Sequence, residues 1–382
     1  MRLTAETVER IAELPQADWD ALDASGNPFL RHAFLEALES TGCVGGETGW
    51  TPRHLVLRDA AGRLVGAVPQ YEKLHSWGEF IFDWNWAQAY ARAGLDYYPK
   101  LLAAIPFTPV TGPRLLVHAA TAAAVRPLIA EALRVTASQR GYSGVHVNYT
   151  TADDQAALER AGFMRREDCR FLWHNESYAD FEHFLARLRA DKRKKLRRER
   201  RRVAEAGISF ETLPGESIDA GLWTLIFGFS ERTFLQHGNT HYLNAAFLAK
   251  VARRMPGSVI VKLALEGRRP VAAGVFFRGG GCLYGRYWGT ARHVDCLHFE
   301  LCYYQGIDYC IEHGIERFDP GTQGEHKLAR GFEPTVTHSA HWLADARLGG
   351  AIDRYLERER AAMSEYREAA REHLPFQRGT PQ

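Results

Sequence analysis

Residues Gly285–Pro334 read GRYWGTARHVDCLHFELCYYQGIDYCIEHGIERFDPGTQGEHKLARGFEP, in the order strand, loop, helix, strand, polar loop, short helix, turn. Leu283–Trp288 is short, aromatic and bounded by glycines, which predicts a strand. Leu301, Tyr304, Ile307, Asp308 and Ile311 fall at helical spacing with only Asp308 polar, so His298–His313 reads as an amphipathic helix. Gly314 stands where a helix C-cap belongs, and Ile315–Phe318 is a second short strand. The loop after it gathers Glu325, His326, Lys327 and Arg330. Strand ends followed by polar loops are where α/β proteins place chemistry.

Working outward, 382 residues with 46% hydrophobic content are enough for two ordinary domains. Charged residues at 25% and aromatics at 12% exclude a disordered chain. Cys43, Cys169, Cys282, Cys296, Cys302 and Cys310 form no close pair of the kind a structural zinc site uses, so reduced thiols and no metal are expected. The N-terminus lacks a basic region followed by an apolar run. The apolar window Leu101–Val125 is broken by Pro106, Pro109, Pro113 and Arg114, so neither a leader nor a membrane span is expected and the setting reads as cytoplasmic. Net charge is +2, but Arg187–Arg202 alone holds eleven Lys/Arg against Asp191 and Glu199, which leaves the remainder at −7.

In chain order, residues 1–30 begin with a helix, and Pro28–Ser40 forms a second. His54–Leu57 and Leu64–Val68 flank a turn and predict a hairpin. Lys73–Arg114, rich in Trp, Tyr and Pro, reads as a long ordered loop with one short helix near Tyr97–Ala104; it is either functional or an aromatic cap on the core. Thr121–Arg140 is helical, Val145–Asn148 a strand, Asp153–Ala161 a helix and Phe163–His174 a strand. Ser177 and Asp180 fit a capping box opening one long basic helix to Ala206. Phe181, Leu188, Leu196 and Val203 give that helix a narrow apolar stripe. Ile208–Leu213 follows as a strand, Leu222–Arg232 and Tyr242–Met255 as helices, and Val259–Leu265 with Val271–Phe277 as a second hairpin. The tail from Ala351 to His373 is helical.

The two halves repeat. Val65–Val68 corresponds to Ala273–Phe276, Gly141–Asn148 to Gly314–Gly321, and Arg160–Phe163 to Ala329–Phe332. Three matches in one order argue for two copies of one fold. Hairpin, helix, strand, helix, Gly-Phe, strand resembles the GNAT acyltransferase core, with Leu158–Phe163 as its closing helix and strand. Two such units joined by a basic helix resemble the Fem-like aminoacyltransferases that build peptidoglycan bridges. Tyr287-Trp288-Gly289, Leu297–Glu300, Gly324–Lys327 and Arg330-Gly331-Phe332 look like a bacterial family of N-acyltransferases named for peptidoglycan biosynthesis or recognition. The resemblance implies an α/β (α+β) fold of two tandem GNAT-like units with mixed, mostly antiparallel sheets. The expected division is 1–176, a linker helix 177–207, a second unit 208–346, and a helical tail 347–382 that can pack back on the first unit. One departure is clear. GNAT enzymes using acyl-CoA carry a Q/R-x-x-G-x-G/A loop whose amides hold a pyrophosphate, and Gly289–His293 does not match it. The donor therefore stays open between acyl-CoA and aminoacyl-tRNA.

Acyl transfer to an amine needs a base, an oxyanion donor and a route for the leaving group. Glu300 and His298, at the start of a helix beside Trp288, are candidate bases; each reads equally as a helix-start residue. Tyr287, Tyr303 and Tyr304 can protonate a leaving group or fill the core. Glu325 and His326 join the candidate catalytic set. Lys327 and Arg330, one helical step apart, can clamp a phosphate, as can Arg197 and Arg198 of the basic helix. Asp83, Trp84, Tyr90, Lys100 and Arg114 are the polar and aromatic candidates for acceptor binding in the first unit. The basic helix itself reads as a solvated face, a phosphate or tRNA contact, or a membrane-surface contact. Two functions compete. One is an acyl- or aminoacyltransferase acting on an amine or cell-wall precursor, in a cleft between the units. The other is a non-catalytic protein of the same fold, binding nucleic acid or a phosphorylated cell-wall precursor through the basic helix.

Overall fold

The computed structural model describes residues 3–322 and 324–377. It divides into two units, one of Met1–Asp168 with Val336–Glu365 and one of Cys169–Thr335 with Tyr366–Gln382. The chain passes between them within the strand Met164–His174, again within Glu333–Leu343, and last within the helix Ala346–Glu372. The division at 168/169 makes the basic segment part of the second unit rather than a linker, and it returns 336–365 to the first.

In the first unit, Thr4–Val8 is an edge strand antiparallel to His54–Arg58, which hairpins with Leu64–Val68. The N-terminus, expected to begin with a helix, opens instead with this strand because it pairs along a sheet edge, and a short helix follows at Gln16–Asp20. Gln70–Lys73 pairs antiparallel with Lys100–Ala103, which runs parallel to Gly144–Thr150. His338–Leu343 closes the sheet antiparallel to Gly144–Thr150. The short helix of the aromatic region is Trp84–Arg92 and not near Tyr97–Ala104, where Lys100–Ala103 is a fully buried strand between two partners. Leu55, Val68, Leu101, Val125, Ile129 and Val145 lie in the core under the helix Ala122–Gln139.

The second unit repeats the plan. Ile208–Pro214, Val259–Glu266, Arg269–Gly279 and Cys282–Thr290 form an antiparallel meander. Cys282–Thr290 then runs parallel to Arg317–Asp319, whose other side takes Trp173–His174 antiparallel. A meander, one parallel step across a helix, and an antiparallel closing strand are common to both units, as the sequence repeat implied. Both units are of mixed α/β structure. Phe171, Trp173, Phe184, Tyr304, Phe318 and Phe332 form the second core. The parallel step brings its helix close to the sheet, since a Cβ on Gly306 would lie 2.5 Å from the Phe318 ring.

The single long helix expected over Ser177–Ala206 is two, Phe181–Ala186 and Ala190–Glu205. Asp180, not Ser177, is the cap, accepting from the His183 N–H at 2.7 Å. The break occurs because the backbone between them pairs with the tail. Arg189 N–H donates to the Pro375 carbonyl at 2.8 Å, Gln377 N–H to the Arg187 carbonyl at 3.0 Å, and Leu188 is buried between.

Candidate active site

The parallel pairing of Cys282–Thr290 with Arg317–Asp319 lasts three residues, ending at Tyr284 opposite Asp319. Beyond it the chain turns away through Pro320 and Gly321, and among the described residues the parallel ladder goes no further than Tyr284. On the strand's other side the register shifts, with Val275 opposite Tyr287 and Phe276 opposite Gly285, which leaves Arg286 as the bulged residue. Bulges re-aim side chains and are enriched beside active sites. A cavity of about 140 Å³ occupies this opening, walled by Gly285–Trp288, His298, Cys302, Tyr303, Thr322 and Lys327.

The helix that supplies one wall contains a π turn at Glu300–Tyr304. Such turns recur at functional sites because they rotate the residues after them. Here His298, Cys302 and Tyr303 all reach the cavity. Burial pushes the His298 imidazole down to about 4, with His326, Arg330 and Lys327 adding to the effect, so it is neutral at pH 7. Its ring lies 4.7 Å from Trp288 and 5.5 Å from Tyr303. The Tyr303 hydroxyl is 2.8 Å from His326 Nε2. Lys327 is 1% exposed and donates to the carbonyls of Gly321 at 2.7 Å and Thr322 at 3.1 Å. Burial pulls its ammonium down to about 7 against the opposing charge of Asp319. Asp319 holds the turn, accepting from Arg170 Nη2 at 2.7 Å and from the Gly321 N–H at 3.0 Å.

Of the residues the sequence singled out here, His298, Tyr287 and Lys327 meet at the cavity, with His326 one hydrogen bond behind Tyr303. Glu300 does not line it. Its carboxylate is buried, accepts from Gln305 at 2.8 Å and pairs with Arg200 at 3.1 Å, while burial raises its pKa. Arg330 is not a phosphate clamp. It is 1% exposed, donates to Glu199 at 2.8 Å, Tyr304 at 2.9 Å and the His326 carbonyl at 2.8 Å, and stacks 3.6 Å from the Phe299 ring. Glu325 accepts from the Tyr366 hydroxyl at 3.2 Å instead of entering the cavity. Arg197 pairs with Glu182, and Arg198 is exposed on the same helix, neither of them lining the cavity. Neighbouring cations are matched too, Arg200 with Asp308 at 2.6 Å and Arg202 with Asp295 at 2.8 Å. Cys302, Thr322 and Arg286 were missed; nothing in their sequence neighbourhood marks a bulge or a π turn. Gly289 is likewise no phosphate loop, because a Cβ there would fall 2.1 Å from the Phe229 backbone where the helix Ala220–Gln236 crosses the strand.

In the first unit Asp83 and Lys100 are brought together, but inside. Lys100 is fully buried and donates to Glu79 and Ser76, each at 2.9 Å, and to Asp83. Asp83 also accepts from the Tyr97 hydroxyl at 2.5 Å. Burial pushes Glu79 up to about 7, whereas for Asp83 the attraction of Lys100 and His146 outweighs burial and holds it down at about 2. Tyr90 is buried with its hydroxyl on the Ser143 carbonyl at 3.3 Å. Arg114 is enclosed, donating to the carbonyls of Val110, Gly112 and Pro113. Those two are loop-holding groups rather than acceptor contacts. Trp84 is half-buried against Trp77, with ring centroids 5.2 Å apart.

Residues 10–378 match the family model described as peptidoglycan biosynthesis/recognition. The chain belongs to the FemAB-like family. No curated protein matches the sequence. Among solved structures, the FemAB-like chain is similar to FemX, with TM-score 0.54, 12% identity, and coverage of 92% of this chain and 100% of that one. It is also similar to L-PGS from Bacillus licheniformis, with TM-score 0.52, 11% identity, and coverage of 85% and 95%. At these identities the likeness is one of fold. Among the described residues no helix is long and apolar enough to cross a membrane. No group of three or more His, Cys, Asp or Glu among them is placed to hold a metal ion.

Proposed function

We propose that this FemAB-like protein transfers an acyl or aminoacyl group to an amine acceptor in cell-wall precursor metabolism, with the reaction in the cavity of the second unit. The observation that carries the reading is the parallel strand pair that ends at Tyr284 and Asp319, beside whose bulge lies a cavity holding a neutral His298 and the amine of Lys327. An acceptor amine attacks the donor carbonyl carbon, and the resulting oxyanion needs donors already in place. Lys327, on the cavity wall, supplies one. His298, neutral at pH 7, takes the proton of the attacking amine. Tyr303, backed by His326, returns a proton to the leaving thiolate or alkoxide. The acyl–carrier bond breaks as the amide forms, so atoms balance without a metal. Acyl-CoA and aminoacyl-tRNA both fit this chemistry. The six free thiols suit the reducing compartment where such donors are made.

The test is to incubate the protein with labelled acetyl-CoA or aminoacyl-tRNA and a panel of amines that includes peptidoglycan-precursor peptides. Alkali-stable label in an amine that disappears in His298→Gln supports transfer. Tight retention of a precursor with no amide from either donor would favour the second reading, a recognition protein, which the family description also admits.

A further inference from the structure

The chain leaves the second unit at Thr335 and returns to it at Tyr366. The returning segment touches the short helix Glu325–Arg330 at both ends. At the start, the Tyr366 hydroxyl donates to the Glu325 carboxylate at 3.2 Å. At the other end Gly331 caps the helix in the left-handed region, and a Cβ built on it would lie 3.0 Å from the Phe184 ring and 3.5 Å from the Phe376 ring. Both rings close over the helix end because the residue there has no side chain to hold them off. Between these two contacts stand His326, bonded to Tyr303, and Lys327, on the cavity wall.

Phe376 is itself fixed in place. Pro375 follows the helix Ala346–Glu372 at a position where the chain cannot continue helical. The residues around it pair instead with the break in the basic segment. Arg189 N–H donates to the Pro375 carbonyl at 2.8 Å, Gln377 N–H to the Arg187 carbonyl at 3.0 Å, and Gln377 Nε2 to the Ala186 carbonyl at 2.9 Å. Leu188 and Phe376 stand opposite each other in this antiparallel bridge, and Leu374 and Phe376 pack on the second core. Segments of this kind fray unless they are tied down, and this one is tied on the basic segment, on the core and on the short helix.

Resting on the transferase reading above, we infer that Tyr366 and Phe376 are positioning residues, and that Tyr366–Gln377 is a strap holding the helix Glu325–Arg330, and through it His326 and Lys327, in place at the cavity. Neither residue lines the cavity; each acts through the short helix. A helix of six residues is too short to be stable by itself, so its neighbours set its position. Arg330 ties it to Glu199 at 2.8 Å, and the strap ties its two ends. A displacement of about 1 Å there is enough to cost roughly 100-fold in rate.

The experiment reads the site in the full chain by hydrogen exchange and by acetic anhydride labelling of Lys327 across pH, beside the transfer assay. Burial holds the Lys327 amine at about 7 in the parent, against its ordinary 10.5. In Phe376→Ala the amides of 325–332 should exchange at least about tenfold faster, and the Lys327 labelling midpoint should rise as water reaches the amine. The strands Val259–Glu266 and Arg269–Gly279 should keep their protection. Phe376→Leu should restore most of the parent behaviour, and Tyr366→Phe, which loses one exposed bond, should quicken exchange by only about threefold. Transfer by Phe376→Ala should fall roughly 100-fold, in kcat more than in KM. Faster exchange confined to 374–377 and 186–189, with the Lys327 midpoint unmoved, would overturn the inference. So would an equal loss of protection across the strands, which would make Phe376 a residue of general stability. A parent protein that transfers from neither donor would overturn the transferase reading alone, because exchange and labelling still decide the strap.

Discussion

Replacing Arg330 by Met separates a structural role from a binding role with one substitution. Methionine keeps most of the stem, but it removes the guanidinium that bonds Glu199 at 2.8 Å, Tyr304 at 2.9 Å and the His326 carbonyl at 2.8 Å. Glu199 is 7% exposed at its side chain and would keep the Tyr304 hydroxyl, which donates to it, but its only cation would be Lys195, 3.9 Å away on the same helix. Breaking a buried pair by removing one partner costs about 3–5 kcal/mol, because the survivor is an uncompensated charge. The lost stacking on Phe299, at 3.6 Å, adds about 0.5–2 kcal/mol. For domains of this size each kcal/mol shifts the melting point by about 2–4 °C, so a drop on the order of 10 °C is expected. The assay is urea unfolding followed by tryptophan fluorescence at pH 7, run as a double-mutant cycle with Glu199→Gln. Neutralising both partners should recover much of the loss and give a coupling energy of at least about 2 kcal/mol. A single variant that melts within about 1 °C of the parent yet loses affinity for phosphorylated ligands would refute this account and restore Arg330 as a clamp.

Tyr303→Phe deletes the hydroxyl 2.8 Å from His326 Nε2; transfer should fall by about 100-fold while the melting point moves little, read by paired rate and melt measurements. His298 binds its proton less well folded, at about 4, than at its ordinary 6.5, so protonation favours the unfolded chain. Its contribution is complete above pH 6.5 and is lost as pH falls toward 4, at up to about 1.4 kcal/mol per unit; His298→Gln should flatten that part of a stability–pH curve. Gly289→Ala places a methyl 2.1 Å from the Phe229 backbone and should cost more than about 3 kcal/mol or abolish soluble expression; a melt within 2 °C of the parent would disprove the close approach. Lys100→Met strands Glu79 and Asp83 in the first unit and should destabilise by about 3–5 kcal/mol, with Glu79→Gln restoring part of it.

The repeat was legible because its signals are local. The first hairpin announces itself by two apolar runs flanking the turn Asp59–Gly62, the helix ends by Gly141 and Gly314 in the left-handed region, and the order of elements follows. The N-terminal strand and Lys100–Ala103 were not legible, since both are strands only by virtue of partners distant in sequence. The break at Leu188 escaped for the same reason: Arg187–Arg189 has good helix formers, and only pairing with Pro375 and Gln377 diverts it.

The site was half legible, and the line between the halves is physical. A run such as Glu325–Arg330 shows that ionisable groups are concentrated, but not which way each one points. On the short helix Glu325–Arg330, Lys327 and Arg330 are both 1% exposed. Lys327 meets carbonyls at a cavity, and Arg330 meets a carboxylate in the core. What separates them is Glu199, which sits in the apolar stripe of the basic helix between Leu196 and Val203. In sequence Glu199 looks like one acid diluting eleven cations. In the fold it is the buried counter-charge that holds Arg330 in the core, while Lys327 lines the cavity. An acidic residue on the core-facing side of a basic helix was therefore the available clue, because a carboxylate is kept there only if a cation reaches it from another element.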